Sequence, residues 1–311
     1  MEGLVIKNTG SAYEVRLEKT GEIVNCRLKG NFRIKGIRTT NPIAVGDRVD
    51  VAEVSAGDYY IISIQPRRNY IIRKASNLSK ESHILAANID AAALVVTLSR
   101  PATSTTFIDR FLATAEAYNV EAFLVLNKMD TWDEEERELA DAIAYLYDSI
   151  GYKVVFTSAS TGVGVEELKK LCIGKTVLLA GNSGVGKSSL INAMVPGKNL
   201  RIGAISDTHQ TGMHTTTFSE MIDLPEGGEL IDVPGVKGFG TIDFEKEEVS
   251  HYFPEIFRIG RECKYGNCTH THEPGCAVLK ALEEEKIAQS RYNSYMSIIE
   301  DSQEDKYRKP F

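Results

Sequence analysis

The segment from Gly181 to Ser188 has the residue types and spacing that bind the phosphates of a nucleotide. It reads Gly181-Asn182-Ser183-Gly184-Val185-Gly186-Lys187-Ser188 and fits the pattern G-x-x-x-x-G-K-[ST] without a mismatch. Its glycines let backbone N–H groups converge on phosphate oxygens at the start of a helix. Lys187 is expected to reach the β- and γ-phosphates, and the Ser188 hydroxyl to join a Mg²⁺ shell. A β-rich run before the segment and a helical pattern from Ser189 onward disfavour an ordinary glycine-rich turn.

A second motif, Asn127-Lys128-Met129-Asp130, can read a guanine base. The Asp130 carboxylate can accept hydrogen bonds from the N1–H and 2-amino groups of guanine, an edge that adenine does not offer. Asn127 can position the loop, and the aliphatic stem of Lys128 can cover the ring face. A further strand leads into Thr157-Ser158-Ala159-Ser160, in which Ser158 and Ala159 resemble the second base-contacting loop of GTPases. Each motif alone could be a solvated turn.

Two more motifs follow the phosphate segment and indicate a switch that senses the γ-phosphate. Asp232 in Asp232-Val233-Pro234-Gly235 ends a predicted strand and can hold Mg²⁺ through water, while Gly235 can donate its N–H to the γ-phosphate. In Thr215-Thr216-Thr217, Thr216 would complete the metal shell only in the triphosphate state. The base reader thus precedes the phosphate segment, a rotation of the usual GTPase order, and this order predicts a circularly permuted P-loop α/β domain. The predicted nucleotide site is Asn127 to Asp130, Ser158, Ala159, Gly181 to Ser189, Asp232 and Gly235.

From about Ile84 to its end, the chain resembles the RsgA family, circularly permuted GTPases that depend on the small ribosomal subunit. The distinguishing stretches are Thr211-Gly212-Met213-His214-Thr215-Thr216-Thr217 and Asp232-Val233-Pro234-Gly235-Val236-Lys237-Gly238-Phe239-Gly240. The resemblance implies a GTP hydrolase that helps to mature the small subunit, using Mg²⁺ with bound GTP. It also implies a β-barrel before the GTPase domain and a zinc-binding segment after it.

Residues 1–75 are expected to form an OB-type β-barrel. Short alternating runs at 12–17, 23–28, 49–54 and 59–64, separated by glycine turns, indicate about five strands. The whole chain has a net charge of -7, but residues 1–75 hold 13 Lys and Arg against 8 Asp and Glu. Arg27, Lys29, Arg33, Lys35 and Arg38 lie in a stretch without acidic residues that also contains Phe32. Such a face can contact RNA phosphates and stack a base, or it can be a solvated barrel edge, and the resemblance favours RNA.

Three cysteines and a histidine near the C-terminus have the spacing of a zinc site. They are Cys263, Cys268, His270 and Cys276, and together they can fill a closed tetrahedral shell of structural type. Disulfides are the alternative, but the chain opens Met1-Glu2-Gly3-Leu4 without a signal peptide, and an intracellular location favours metal. His272 could compete as a ligand, and the family resemblance points to His270. Cys26 and Cys172 are isolated and are predicted to be buried apolar groups.

The expected domains are 1–75 (OB-type, RNA-binding), 76–245 (circularly permuted GTPase) and 246–311 (zinc-binding, with a C-terminal helix). A hinge is expected at 66–82, and the apolar spacing predicts helical structure over 277–301. No apolar stretch approaches the length that spans a bilayer. The resemblance implies a cytoplasmic protein whose partners are GTP or GDP, the small ribosomal subunit and its rRNA, and we expect a monomer without membrane contact.

The position after Asp-x-x-Gly is Val236, where many GTPases have a glutamine that orients the attacking water. Slow intrinsic hydrolysis is therefore expected, with a partner or another residue ordering the water. His214 is the candidate, since it corresponds to a family histidine, and His209 is the alternative. Lys187 and Thr216 complete the predicted catalytic set. Two functions stay open: a GTPase whose subunit-triggered hydrolysis releases it from RNA, and an RNA-binding assembly factor that uses the nucleotide as a ligand. The Asp130 carboxylate disfavours an ATPase or kinase.

Overall fold

A closed barrel of five strands opens the chain, and alternating burial along its strands explains why it forms. In the computed structural model, which describes residues 1–10, 12–28, 42–74, 82–200, 218–235 and 244–307 (backbone alone at 73, 74, 82 and 303–307), the strands pair in the order β1-β2-β3-β5-β4, and β4 returns to β1. Along β2, Tyr13, Val15 and Leu17 are buried, while the residues between them are half-buried. The strands are β1 (Glu2–Asn8), β2 (Tyr13–Leu17), β3 (Ile23–Leu28), β4 (Arg48–Ser55) and β5 (Asp58–Ile64).

The segment after the barrel is structured where we expected a hinge. Strand β6 (Tyr70–Lys74) lies within 66–82 and pairs antiparallel with β7 (Ser82–Ala87), which begins where that range ends. Ile71 is fully buried in the same core as the central sheet. Arg67 donates from Nε to Asp47 Oδ1 of the barrel at 2.7 Å, and both side chains are nearly inaccessible. Buried contacts on both sides therefore hold the described part of this connection, and the hinge at 66–82 stays a prediction.

The central domain is a parallel sheet with helices on both faces. Its order is β10-β9-β8-β11-β13-β12, and only β12 is antiparallel to its neighbour β13. Every residue of β8 is buried, as expected for a central strand covered on both sides. The elements are β8 (Ala91–Val96), α1 (Thr105–Ala117), β9 (Glu121–Leu126), α2 (Glu134–Ile150), β10 (Val154–Phe156), α3 (Val165–Cys172), β11 (Thr176–Ala180), α4 (Lys187–Met194), β12 (Ser219–Asp223) and β13 (Glu229–Asp232).

The C-terminal segment is helical and packs on α1. A short 3₁₀ helix (Val249–Tyr252) precedes α5 (Pro254–Gly260), α6 (Ala277–Glu283) and α7 (Gln289–Tyr307). The helical pattern predicted over 277–301 is therefore broken between α6 and α7. The break occurs where Glu285 takes a φ of 56°, and the Lys286 N–H closes the end of α6 on the Ala281 carbonyl at 2.8 Å. None of the helices in the described ranges combines the length and apolarity needed to cross a membrane.

Candidate nucleotide-binding site and metal centre

The predicted nucleotide motifs are far apart in the sequence, but those that the structure describes all follow strands that end at the same edge of the parallel sheet. Leu179 at the end of β11 lies opposite Asp232 at the end of β13. On the other side of β11, β8 pairs with β9 up to Val96 opposite Leu126, and β9 pairs with β10 up to Leu126 opposite Phe156. The phosphate segment, the base reader, the second base loop and Asp232 all follow these carboxyl ends. Open α/β sheets bind ligands at this edge.

The phosphate segment has the backbone that its glycines predict. Gly181, Gly184 and Gly186 have φ values of 145°, 86° and 96°, which are unfavourable for other residues. At Gly181 a Cβ would lie 2.3 Å from the Val95 carbonyl oxygen, so a side chain cannot fit there. Helix α4 begins at Lys187 directly after the turn. The N–H groups of its first turn therefore face the loop, as an anion site requires.

Lys187 is buried beneath the phosphate segment. Its Nζ donates to the carbonyl oxygens of Gly181 at 2.9 Å and Asn182 at 3.1 Å. Burial lowers the pKa of Lys187 to about 8, and the carboxylate of Asp232 opposes that shift. A phosphate beside this ammonium would add negative charge and stabilise the protonated form. The position suits the phosphate-binding role that the motif predicts.

The Asp-x-x-Gly motif contacts the phosphate segment closely. Asp232 is 1 % exposed at the end of β13. A Cβ on Gly235 would lie 2.9 Å from both the N and the Cα of Ser183, so only glycine allows this approach of the two backbones. Val236 lies outside the described residues. The two phosphate-sensing motifs are thus adjacent in space, as their predicted roles require.

Asn127 joins the base-reading strand to the phosphate segment. Its Nδ2 donates to the Val185 carbonyl at 2.9 Å, and its Oδ1 accepts a hydrogen bond from Thr157 Oγ1 at 3.1 Å. The amide is 1 % exposed, and a Cβ on Gly186 would lie 2.4 Å from its Nδ2. Asn127 therefore holds three loops together, which agrees with the positioning role predicted for it.

Lys128 of the base-reading motif also contacts the phosphate segment. Its φ of 69° directs the residue toward the phosphate loop, where Nζ donates to the Gly184 carbonyl at 2.7 Å. A second bond, at 2.6 Å, goes to the Arg100 carbonyl in the loop between β8 and α1. Burial lowers the pKa of Lys128, with Asp130 opposing the shift. The sequence reading missed Arg100, because a backbone carbonyl leaves no signature in residue type.

Asp130 carries the carboxylate predicted to read guanine, and two hydroxyls hold it. Ser158 Oγ donates to its Oδ1 at 2.6 Å, and Ser160 Oγ donates to its Oδ2 at 2.7 Å. These bonds, Ser158 first, keep the pKa of Asp130 below its ordinary value, so the group is ionised at neutral pH. The side chain is exposed and can meet a ligand edge. Ser160 was absent from the predicted site, although it lies in the same four-residue motif, 157–160, as the predicted Ser158.

Several predicted residues cannot be placed. His214 and Thr216 lie outside the described residues, as do the alternative His209 and the basic residues from Lys29 to Arg38. The other predicted nucleotide residues are within the described ranges. Among them, Ser188 is buried in the first turn of α4, and Met129 opens the 3₁₀ turn that carries Asp130. The assignment of individual roles stays a prediction.

The four predicted zinc ligands form one cluster. Their ligand atoms all lie within 4.8 Å of one another. A tetrahedral zinc ion with Zn–S of about 2.3 Å and Zn–N of about 2.0–2.1 Å requires S···S near ~3.8 Å and S···N near ~3.5 Å. The Sγ atoms of Cys263 and Cys276 are 3.8 Å apart, and each lies 3.5 or 3.4 Å from His270 Nδ1. The donor set and its geometry fit a structural zinc site.

The surroundings of the cluster favour His270 over His272 as the fourth ligand, and they are compatible with a bound metal. His272 is exposed, bonds through Nδ1 to Thr271 Oγ1 at 2.8 Å, and is not part of the cluster. Burial lowers the pKa of His270, so the imidazole is neutral and can donate its lone pair. Burial raises the pKa of Cys268 to about 12, so a metal must displace its proton on binding. The Ala277 N–H donates to Cys263 Sγ at 3.3 Å and would stabilise a thiolate.

A buried arginine ties this segment to the central domain. Arg291 of α7 donates from Nε to Glu255 Oε1 of α5 and from Nη1 to Asp109 Oδ1 of α1, both at 2.7 Å. Tyr147 of α2 donates to the same Asp109 oxygen at 2.7 Å. Burial alone would lower the pKa of Arg291, but the two carboxylates more than offset it and raise the pKa. Nothing in the spacing of these residues indicated the cluster.

The fold and site define a circularly permuted P-loop GTPase domain with an N-terminal barrel and a C-terminal Cys₃His cluster. The family models described as RsgA GTPase and RsgA N-terminal domain match residues 64–242 and 2–61. The chain belongs to the RsgA GTPase family.

Relatives and solved structures agree over the whole length. A Porphyromonas gingivalis protein named small ribosomal subunit biogenesis GTPase RsgA is 59 % identical, covering 99 % of both chains. A Bacteroides fragilis protein of the same name is 57 % identical with the same coverage. YjeQ from Thermotoga maritima matches with a TM-score of 0.75 and 36 % identity, covering 97 % of this chain and 98 % of that one. YloQ, described as a circularly permuted GTPase, matches with a TM-score of 0.70 and 32 % identity, covering 100 % and 96 %.

Proposed function

We propose that this protein is a GTP hydrolase that acts in the biogenesis of the small ribosomal subunit. The observation that carries the proposal is the set of rotated nucleotide motifs meeting at one sheet edge, among them the exposed carboxylate of Asp130. Relatives that share more than half of its residues carry the name of a small-subunit biogenesis GTPase. The proposed reaction converts GTP and water to GDP and phosphate.

The described residues support specific roles in binding. Asp130 would accept hydrogen bonds from the guanine edge, while Asn127 and Lys128 hold the phosphate segment in place. Backbone N–H groups of the segment and the Lys187 ammonium would bind the phosphate oxygens. Ser188 and Thr216 would hold Mg²⁺, whose charge, when bound with GTP, offsets the negative charge on the β- and γ-phosphates.

Hydrolysis is proposed to need a trigger. Val236 has no polar side-chain group with which to orient water, so turnover of the isolated protein should be slow. His214 is proposed to orient the attacking water once the small subunit has fixed the switch. Hydrolysis would then release the protein from the subunit late in its maturation. This cycle implies a cytoplasmic location, and we propose that the protein acts there as a monomer.

Rapid-mixing single-turnover hydrolysis, with and without small ribosomal subunits, tests the proposal. Subunits should raise the rate by orders of magnitude, and Lys187→Ala should weaken binding and hydrolysis together. His214→Ala should lower the stimulated rate while leaving GTP affinity nearly unchanged, and a larger loss in His209→Ala would assign the role to the alternative histidine. An unstimulated rate would instead favour an RNA-binding assembly factor for which the nucleotide is a ligand. That alternative draws on the positive charge of the barrel, where Arg27 is exposed on β3.

A further inference from the structure

The carboxylate of Asp130 has a hydroxyl on each of its oxygens. Ser158 Oγ bonds Oδ1 at 2.6 Å, Ser160 Oγ bonds Oδ2 at 2.7 Å, and the two hydroxyl oxygens are 3.0 Å apart. Ser158 is itself fixed, because it is fully buried and its backbone N–H bonds the Val163 carbonyl at 2.9 Å. Ser160 is exposed, and its hydroxyl contacts both the fixed Ser158 hydroxyl and Oδ2 of Asp130.

Guanine recognition needs both carboxylate oxygens in a defined plane. The N1–H and 2-amino groups lie side by side on one edge of the base, so each oxygen must point at one of them. The terminal torsion of an aspartate is broad, and an exposed carboxylate is free to rotate. Each carboxylate oxygen can accept more than one hydrogen bond. A hydroxyl on each oxygen can therefore fix the plane and still leave a lone pair for the base.

We infer that Ser160 is a positioning residue for guanine recognition, whose hydroxyl holds Oδ2 of Asp130 while Ser158 holds Oδ1. The inference rests on the proposed guanine-nucleotide function and deepens it by naming a second hydroxyl that sets base specificity. The lowered pKa of Asp130, to which both serines contribute, agrees with it. Ser160 acts through Asp130 and needs no contact with the nucleotide.

A purely structural role for the Ser160 hydroxyl is disfavoured by its surroundings. The side chain is exposed, and its two side-chain hydrogen bonds are those to Asp130 and Ser158 within the described ranges. Replacing it with alanine leaves no cavity in a core. A structural account therefore predicts unchanged nucleotide binding, whereas the positioning account predicts a selective loss at the base.

Equilibrium titration of the full chain with GDP, IDP and ADP separates these accounts. IDP keeps the N1–H but lacks the 2-amino group, so the ratio of IDP to GDP dissociation constants measures how well the carboxylate is aligned. Ser160→Ala should weaken GDP binding about fivefold to tenfold, which matches the net contribution of one ordinary hydrogen bond, because the exposed Ser160 acts only through the alignment of Asp130. The IDP-to-GDP ratio should fall toward unity, and the thermal midpoint should be unchanged.

Two matched variants complete the design. Ser160→Thr retains the hydroxyl and should restore both the affinity and the ratio. Thr161→Ala removes the neighbouring hydroxyl, which makes no described contact with Asp130, and should leave both values as they were. If Ser160→Ala binds GDP within twofold of the unmodified protein with the same ratio, the inference is overturned. If the unmodified protein binds ADP as tightly as GDP, the guanine function itself is wrong.

Discussion

Replacing Arg291 with methionine should detach the zinc-bearing segment from the GTPase domain. The guanidinium is 1 % exposed and lies between Asp109, at 0 %, and Glu255, at 7 %. It also lies over the Phe253 ring, 4.6 Å from the centroid. Methionine retains most of the apolar volume but removes the cation. The two buried carboxylates that the guanidinium contacts then lack their counter-charge.

The size of the effect follows from desolvation. Removal of one partner from a buried ion pair costs about 3–5 kcal/mol, because the remaining charge is uncompensated. Here two carboxylates lose their partner, and Tyr147 alone remains to donate to Asp109. We therefore expect a loss at the upper end of that range. Adding Asp109→Asn and Glu255→Gln to Arg291→Met should recover much of it, since these changes remove the buried charge.

Two probes in different parts of the chain can locate the loss during urea unfolding. Trp132 is the sole tryptophan, and it packs edge-on against Phe156 in the central domain. Zinc release to a chromogenic chelator reports on the C-terminal segment. In Arg291→Met the zinc-release midpoint should fall well below the tryptophan midpoint. Lys286→Met, which breaks an exposed ion pair with Glu284 in the same segment, should move neither.

Two outcomes of the urea experiment would contradict these expectations. If Arg291→Met releases zinc at the same urea concentration as the unmodified protein, the buried cluster does not hold the segment. If the triple variant is no more stable than Arg291→Met, packing around the arginine rather than uncompensated charge explains the loss.

Three further predictions concern the site residues. Asp130→Asn should weaken GDP binding and favour XDP, whose 2-oxo group needs a donor, as nucleotide titration would show; unchanged guanine preference would contradict the role of Asp130. Purified protein should hold about one zinc per chain by elemental analysis, and Cys268→Ser should lower the content while His272→Ala retains it. Because the pKa of Lys187 is lowered to about 8 in the free protein and phosphate raises it, GDP affinity should be full at pH 7 and below, be about halved at pH 8 and fall further as the pH rises. The fall from pH 8 to 9 should be about fivefold, with proton uptake measured by calorimetry in two buffers at pH 8.5, and a flat profile would contradict the lysine assignment.

The sequence predicted those parts of the fold and site whose chemistry recurs in many proteins. The phosphate segment, the base reader and the four metal ligands are recognisable because each function restricts residue type and spacing. The strands of the barrel were predicted from alternation, except β1, where the consecutive apolar residues Val5 and Ile6 are both buried and the register shifts beside them. The family assignment and the Cys₃His cluster were confirmed.

The contacts between distant elements could not be predicted in this way. Arg291 meets Glu255 and Asp109 across separations of 36 and 182 residues, and no periodicity connects them. The break between α6 and α7 was missed because apolar residues continue at helical spacing through Ile287, which is buried in the turn region. Ser160 was missed because the second base-contacting loop is recognised by Ser158 and Ala159, and the residue after them is not part of that pattern. In each case tertiary geometry, rather than residue type, determines the role.

In the permuted order of motifs, the Asp-x-x-Gly region lies near the end of the GTPase domain, so the segments on its two sides lead to the barrel and to the C-terminal segment. Strand β12 begins directly after residues 201–217 and pairs with both neighbours, since Glu220 lies opposite Asp232 of β13 and opposite Lys7 of β1. The barrel therefore pairs with the strand that lies in the sequence between the predicted threonine switch and Asp232. On the other side, only residues 236–243 separate Gly235 from the described C-terminal segment. Because Arg291 fixes that segment to α1, whose preceding loop accepts a hydrogen bond from Lys128, the C-terminal side of the Asp-x-x-Gly region connects to an element that contacts the base-reading motif, and the N-terminal side connects to the barrel.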